Sequence, residues 1–577
     1  MRTIYKIFRE VVDKLGDKTA LLYKYNGKYE AISYKSLNDN INCFKDQLDV
    51  SGLKKGDKVA IISSNRPEWV ITDLATIKLG AVLVPIYETL SSSEIKYVLN
   101  DAEVKVLIAE GEYLDKIRKI KYEVPTLVKI IVINKDNVMP DEESFACSTR
   151  TGNMHDTDPS IENELASIVY TSGTTGKPKG VMLSQENIIT NAFSLIERGQ
   201  VTEQDTFLSF LPLSHMYERT VGYYVPLFAG ATIAYAQNIN TIAENMLEIR
   251  PTIMNVVPRL LEKMYEKIRV TINNSSIIKK ALFLSAIKNK NAYKERCDNA
   301  KRVPLVLDLK CKLLDVLVCK KIRNKVGGRL RFFTSGGASL KKDITYFFDN
   351  FGIKILEGYG LTETSPVLTS NSHDDYKIGS VGKPLPNVKI KLNETNNEVL
   401  AKSPGVMLGY YRNQQATDAA IDVEGWFHTG DIGSLDDDGY LWITGRLKEL
   451  IITTYGQNIS PNYIEEQLLN SKFIVQVIVY GDGETHISAL IVPNKELLKK
   501  KFLLQDPINW QEMLQSEHIY RFIGSELEKH SINLARYERI KQFVLLEEAF
   551  SVANGLLTPT LKIKRKAVLK WYSEKLR

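Results

Sequence analysis

Cysteine is scarce and scattered. The five cysteines, Cys43, Cys147, Cys297, Cys311 and Cys319, form no Cys-x-x-Cys pair. They read as reduced thiols of a cytoplasmic protein with no zinc site. No stretch holds the roughly 20 uninterrupted apolar residues that a membrane span needs. The opening Met1-Arg2-Thr3-Ile4-Tyr5-Lys6 lacks the apolar core of a signal peptide, so no leader is expected. Charge of one sign is not in large excess: a net +7 over 577 residues calls for no nucleic-acid partner. No fixed-period repeat appears, which excludes solenoids and propellers.

What is present is ordinary globular composition, 44% hydrophobic and 25% charged, enough to bury a full core in several domains. Val59-Ala60-Ile61-Ile62, Ala81-Val82-Leu83-Val84 and Lys105-Val106-Leu107-Ile108 read as strands. Ser91-Ser92-Ser93-Glu94 opens a helix that ends near Asn100-Asp101. Continuous apolar runs separated by helices predict an α/β fold with parallel sheets covered on both faces. Asn65-Arg66-Pro67-Glu68-Trp69 and Pro85-Ile86-Tyr87 read as structural.

Glycine, hydroxyl and lysine concentrate in Tyr170-Thr171-Ser172-Gly173-Thr174-Thr175-Gly176-Lys177-Pro178-Lys179-Gly180. Ala166, Ile168 and Val169 before it read as a buried strand. Val181, Met182 and Leu183 after it read as a short strand, with Ser184 as a helix cap. Such a loop offers backbone N–H groups, hydroxyls and ammonium groups to one anion, and polyphosphate is the anion that needs them all. Pro178 breaks the Walker pattern after Gly-Lys.

The loop resembles the signature loop of the adenylate-forming superfamily, which includes acyl-CoA synthetases, luciferases and peptide-synthetase adenylation domains. The resemblance extends over nearly the whole chain. It implies a large N-terminal domain, residues 1–445, of several subdomains with parallel and mixed sheets. It also implies a small α+β C-terminal domain, residues 446–577, rotating on a hinge. The implied activity is AMP-forming ligation of a long-chain fatty acid to CoA, with ATP and CoA as substrates and Mg2+ as cofactor.

The resemblance also distributes roles. Thr171, Ser172, Gly173, Thr174, Thr175, Gly176 and Lys177 would hold phosphates. Gly336, Gly337 and Ala338, in Thr334-Ser335-Gly336-Gly337-Ala338 after a strand at 330–333, would lie against adenine, with Gly336 beside the acyl tunnel. In Glu357-Gly358-Tyr359-Gly360-Leu361-Thr362-Glu363-Thr364, Tyr359 would stack on adenine and Thr362 would bond the α-phosphate. Glu363 would hold Mg2+ with Thr171; one carboxylate suffices when phosphate oxygens complete the shell. Asp431 would accept the two ribose hydroxyls, and Arg446 would meet the ribose and phosphate. His215, after Leu211-Pro212-Leu213, is expected to gate substrate. It is not needed as a base, because a carboxylate is already ionised at neutral pH. Lys448 matches the hinge position, where many relatives carry aspartate. Gly456 and Gln457 would line the CoA channel. The catalytic lysine falls at Lys562, with Lys564 and Lys566 near in register. Asp436-Asp437-Asp438-Gly439 reads as a plain hairpin turn.

Residues 263–329 form a lysine-rich insert with interleaved leucines. One reading is a solvated helical pair. The other is a basic, apolar surface for anionic lipid, placing a cytoplasmic protein at the inner face of a membrane. An acyl carrier protein replacing CoA as acceptor, or another carboxylic acid as substrate, is the alternative reading. A non-catalytic scaffold would have lost Lys562 or Glu363.

Overall fold

Neighbouring residues of single strands serve different cores. Val59 and Ile61 belong to one buried cluster, whereas Ala60 and Ile62 belong to another. Phe207 and Phe332 share the first cluster; Leu208 and Phe333 belong to a third. A period of two with both faces apolar is what a sheet covered on both sides requires. The computed structural model describes residues 2–134, 138–146, 164–171, 177–298, 302–455, 457–532, 534–551, 553–557 and 563–572. The chain divides into two units, the first comprising Met1–Lys391, Leu400–His428 and Leu435–Trp442, the second Leu392–Val399, Thr429–Ser434 and Ile443–Arg577.

The first unit contains two large mixed sheets. One runs, edge to edge, Lys383–Pro384, Val367–Ser370, Lys354–Gly360, Phe332–Ser335, Ile253–Val256, Thr206–Ser209, Thr232–Tyr235, Thr19–Tyr25 and Lys28–Ser33. From Lys354–Gly360 through Thr19–Tyr25 the pairs are all parallel; the outer pairs are antiparallel. The other sheet has parallel pairs from Leu165–Thr171 through Val82–Pro85, Lys58–Ile62, Val104–Glu110 and Lys129–Ile133 to Glu142–Ser144. Lys179–Ser184 and Gly409–Tyr410 extend it antiparallel. Helices Ile4–Leu15, Tyr34–Val50, Pro67–Lys78 and Gln185–Gly199 bury side chains in the cluster that both sheets share.

The expected starts and stops have local causes. Ser91 and Glu94 form a reciprocal capping box at the helix Ser92–Asp101. Ser184 caps Gln185–Gly199 by accepting from the Asn187 N–H. The strand expected at 330–333 is Phe332–Ser335: Gly327 and Gly328 turn at positive φ, and Arg331 turns its guanidinium to Asp205 at 2.7 Å. The insert holds a helical pair, led by the helix that starts at Pro258. Pro258–Asn273 precedes an antiparallel hairpin of Ile277–Asp298 against Leu305–Leu314, which continues to Lys325. Phe283, Leu314 and Cys319 anchor it beside Phe347, Phe348 and Phe351. The acidic run does form a turn: Asp436 N donates to Tyr440 O at 3.0 Å, and Asp436 and Asp438 hold the Lys377 ammonium.

The second unit packs the antiparallel strands Ile474–Tyr480 and Ser488–Pro493, with Gln542–Leu545 parallel to the latter, against helices that include Pro461–Leu468 and Glu517–His530. Arg565 docks its guanidinium on buried Glu465, with Nη1 2.7 Å from Oε1 and Nη2 2.7 Å from Oε2. Among the described residues no helix is long and apolar enough to cross a membrane.

Candidate functional site

In the first unit the sequence motifs gather where parallel strands of the first sheet end. Thr206–Ser209 leads into Phe210 to His215, and Phe332–Ser335 leads into Gly336-Gly337-Ala338. Lys354–Gly360 carries Glu357 to Gly360 and leads into Thr362–Thr364. The carboxyl edge of a parallel sheet is where α/β folds bind ligands, since loops there can diverge and open a crevice.

Two glycines have steric reasons. A Cβ on Gly336 would stand 3.2 Å from the Tyr217 ring, so the ring leaves little room for a side chain there. A Cβ on Gly360 would fall 1.8 Å from Pro366 O, so no side chain fits there. Gly337 and Ala338 are exposed, and Tyr359 and Thr362 are half-buried. Glu357 is buried, with Oε1 receiving the Gly379 N–H at 3.4 Å and its backbone oxygen the Asn371 N–H at 2.9 Å. It supports the strand end.

Glu363 is pinned twice. Its backbone oxygen accepts from Met407 N at 2.8 Å, and its Oε1 accepts from Tyr410 Oη at 2.9 Å. Burial, then the Glu363 charge, push the Tyr410 phenol well above its ordinary range, so it stays a donor. Tyr410 also carries the Lys179 ammonium 4.8 Å from its ring centroid, and Lys179 pairs across the ladder with Thr171. The flanks of the signature loop and Glu363 are thereby brought to one corner. Ser172, Gly173, Thr174, Thr175 and Gly176 lie outside the described residues. Lys177 is exposed, with its ammonium 5.6 Å from the Tyr97 ring centroid, and Tyr97 Oη donates to Pro178 O at 3.1 Å.

His215 is half-buried, edge-on to Tyr87 with ring centroids 6.3 Å apart. Its Nδ1 accepts from Tyr217 N at 3.2 Å, which assigns a neutral ring's proton to Nε2. Asn65 fixes the approach to His215: Nδ2 donates to Leu211 O at 2.6 Å and Oδ1 accepts from Leu213 N at 3.0 Å.

In the second unit Asp431 is buried and Arg446 half-exposed, with Arg446 Nε 2.8 Å from Asp431 Oδ1. Thr429 Oγ1 receives the Asp431 N–H at 3.1 Å. Lys448 is exposed in the short turn Leu447–Glu449. Gln457 pairs through its backbone oxygen with Thr453 N at 3.1 Å. Gly456 and Lys562 lie outside the described residues.

Sequence reasoning passed over Tyr410, Tyr97 and the separate part of Tyr217. The aromatic doublet in Gly409-Tyr410-Tyr411-Arg412 was the available signal for Tyr410, but nothing in its spacing ties it to a glutamate 47 residues away.

The AMP-binding enzyme family matches residues 8–411, and the AMP-binding enzyme C-terminal domain matches residues 448–576. The chain belongs to the AMP-binding enzyme family. Long-chain-fatty-acid--CoA ligase FadD15 of Mycobacterium bovis is 34% identical over 537 residues, covering 90% of this chain and 87% of that protein. Long chain acyl-CoA synthetase 7, peroxisomal, of Arabidopsis thaliana is 30% identical, covering 95% and 81%. Long-chain-fatty-acid--CoA ligase ACSBG1 of Homo sapiens is 31% identical, covering 99% and 84%. Among solved structures, anthranilate CoA ligase AuaEII in complex with anthranoyl-AMP matches with a TM-score of 0.75 at 21% identity, covering 100% of this chain and 98% of that one. ATP-bound MatB from Rhodopseudomonas palustris matches with a TM-score of 0.75 at 24% identity, covering all of both chains. These two likenesses carry the fold of an AMP-binding enzyme, a mixed α/β architecture, and nothing finer.

Proposed function

We propose that this AMP-binding enzyme is a long-chain fatty acid–CoA ligase. The carrying observation is that relatives at 30–34% identity, matched over at least 90% of this chain, bear that activity in their names. In the first half-reaction a fatty carboxylate oxygen attacks the α-phosphorus of ATP, pyrophosphate leaves, and acyl-AMP forms. In the second, the CoA sulfur attacks the acyl carbonyl and AMP leaves. Negative charge builds around the α-phosphate in the first step, so fixed cations and donors there lower its barrier.

In this reading Lys562 places its ammonium at the α-phosphate, with Thr362 donating nearby. The loop 171–177 cradles the outer phosphates. Gly336, Gly337, Ala338, Glu357, Gly358, Tyr359 and Gly360 form the adenine wall. Asp431 takes the ribose diol and Arg446 the ribose–phosphate edge. His215 and Gly336 border the acyl chain. Glu363 and Thr171 are the residues that would hold Mg2+: Tyr410 engages one glutamate oxygen from one side, and the ladder through Lys179 brings Thr171 to the same corner. Bound there, the cation supplies charge neutralisation at the phosphates. Adenylation and thioester formation need different neighbours around the same carbonyl. Residues 446–577 are therefore assigned as a mobile C-terminal domain that turns at Lys448, withdraws Lys562 and opens the CoA channel at Gly456 and Gln457.

The insert adds a place of work. Leu305 (78% exposed), Leu309 (65%), Leu313 (60%) and Val316 (62%) line one face of the second hairpin helix and its continuation. Lys310, Lys312, Lys320 and Lys321 lie on the same stretch. An apolar stripe flanked by ammonium groups is complementary to an anionic lipid surface, where long-chain acids partition. The test is co-sedimentation with phosphatidylserine-containing against purely zwitterionic vesicles. Equal binding to both ends the lipid assignment.

The reaction is tested by measuring pyrophosphate and AMP against a panel of acids, with CoA or a holo-acyl carrier protein offered after adenylate has formed. Release of ADP, or no turnover with acids of palmitate length, would overturn the reading.

A further inference from the structure

Glu218 is 1% exposed and follows Tyr217 in the helical segment after His215. Its Oε2 accepts from Asn255 Nδ2 at 3.1 Å. Asn255 Oδ1 accepts from Thr334 Oγ1 at 2.7 Å, and Thr334 Oγ1 lies 2.8 Å from Tyr217 Oη. The directions are forced. An amide oxygen cannot donate, so Thr334 uses its only proton on Asn255, and Tyr217 must be the donor to Thr334. Every donor in the row Tyr217, Thr334, Asn255 points toward the Glu218 carboxyl. Such polarised rows strengthen each member in a water-poor interior. The far end carries the Tyr217 ring, which packs against the Gly336 turn, 3.2 Å from where a Cβ would be. The near end leaves no slack either: a Cβ on Gly222 would stand 2.4 Å from Glu218 Oε1 and 2.7 Å from Asn255 Nδ2.

We infer that Glu218 is a positioning residue for the acyl end of the site: acting through Asn255 and Thr334, it fixes the Tyr217 ring as the wall facing Gly336. The inference rests on the reading that the fatty acid passes between His215 and Gly336. Glu218 does not touch substrate; Tyr217 does. Arg219, the next residue, takes no part, because its guanidinium is held by Asp73, Ser167 and Tyr224. Among the described residues, the Glu218 charge bears on the phenols of Tyr217 and Tyr235, both kept protonated chiefly by burial. Burial pushes the Glu218 carboxyl up to about 7, against the Ser209 hydroxyl and the Asn255 amide, which favour the charged form. Its ionisation near neutral pH therefore sets how firmly Asn255, and with it the ring, is held. The charged form is the stronger acceptor.

The experiment measures KM for a palmitate-length acid and for ATP, with thermal unfolding as a control, in wild type, E218Q, E218A, Y217F and E218A/Y217F. E218A is expected to raise the fatty-acid KM about tenfold, the effect of losing one charge-assisted hydrogen bond, and to leave the ATP KM within about twofold. Y217F raises it severalfold, and the double variant falls short of the product of the two, since both act on one row. In wild type the fatty-acid KM drops as pH rises from 6 to 8; in E218Q, which keeps an acceptor but cannot ionise, it stays flat. If E218A fails to fold, E218Q and Y217F carry the test. An unchanged fatty-acid KM in folded E218A, equal losses for ATP and acid, or the same pH profile in E218Q and wild type would each overturn the inference. Wild type that makes no acyl-AMP overturns the ligase reading itself, and is told apart by that.

Discussion

Asp431 and Arg446 are held to each other, Nε to Oδ1 at 2.8 Å, with the carboxylate 3% exposed. The residues assigned to the ribose are therefore one preformed unit. A carboxylate fixed by arginine and oriented through the Thr429–Asp431 backbone bond needs little reordering to accept a vicinal diol. Asp431→Ala removes both acceptor oxygens. With charge-assisted hydrogen bonds at about 1.5–3 kcal/mol each, the ATP KM in the pyrophosphate assay is expected to rise roughly a hundredfold or more. The fatty-acid KM should move far less. Arg446→Ala, which leaves the acceptor in place, should do less harm than Asp431→Ala.

Glu363 and Tyr410 support a second prediction. Tyr410→Phe deletes the phenol that engages Glu363 Oε1 but keeps the ring under Lys179. Loss of a charge-assisted bond leaves the carboxylate freer to rotate, so the magnesium concentration for half-maximal activity should rise about tenfold, while saturating magnesium restores most of kcat. Glu363→Ala should lose on the order of a hundredfold or more in kcat that added magnesium does not recover. Equal magnesium dependence in Tyr410→Phe and wild type would detach the phenol from the metal position.

Lys562 yields the sharpest separation of the two half-reactions. Lys562→Ala should abolish acyl-AMP formation and spare thioester formation from supplied acyl-AMP. Single-turnover assays of each half-reaction read this directly. Equal loss of both would move the catalytic lysine elsewhere in the register, with Lys564 and Lys566 the nearest ammonium groups in sequence.

Local features were legible where one residue type settles a local question. Ser91-Ser92-Ser93-Glu94 and Ser184 announced helix starts, and the apolar run at 59–62 announced a buried strand. The glycines Gly336 and Gly360 were readable for the same reason, because close neighbours there leave little or no room for a side chain. Partnerships between distant segments were not readable. Tyr410 meets Glu363, and Thr334 meets Tyr217 and Asn255, only because strands far apart in sequence end side by side. Three sequence-assigned stretches, 172–176, Gly456 and Lys562, lie outside the described residues and rest on the motifs alone.

A buried ion pair holds the core of the first unit. Arg219 and Asp73 are both fully buried, Nη2 to Oδ1 at 2.5 Å, and Tyr223 and Tyr224 donate to the other aspartate oxygen at 2.9 and 2.6 Å. Ser167 Oγ, on the strand that leads into the signature loop, accepts from Arg219 Nη1 at 2.7 Å. Desolvation opposes the guanidinium's charge, but Asp73 and the two phenols outweigh it and push its pKa further up, so it stays charged at any working pH. Asp73→Ala leaves that charge buried without its counter-ion, a defect of about 3–5 kcal/mol in comparable sites. Urea unfolding should show the first transition at clearly lower denaturant, with the m-value of the second unit's transition unchanged. Asp73→Asn keeps acceptor capacity and should lose less. Replacing both partners, Asp73→Leu with Arg219→Met, removes the orphaned charge and should recover much of the loss, because the cost lies in the unpaired ion more than in the missing bridge. A double variant no more stable than Asp73→Ala would show that the network's hydrogen bonds to Ser167 and the two tyrosines, rather than charge compensation, hold this part of the core.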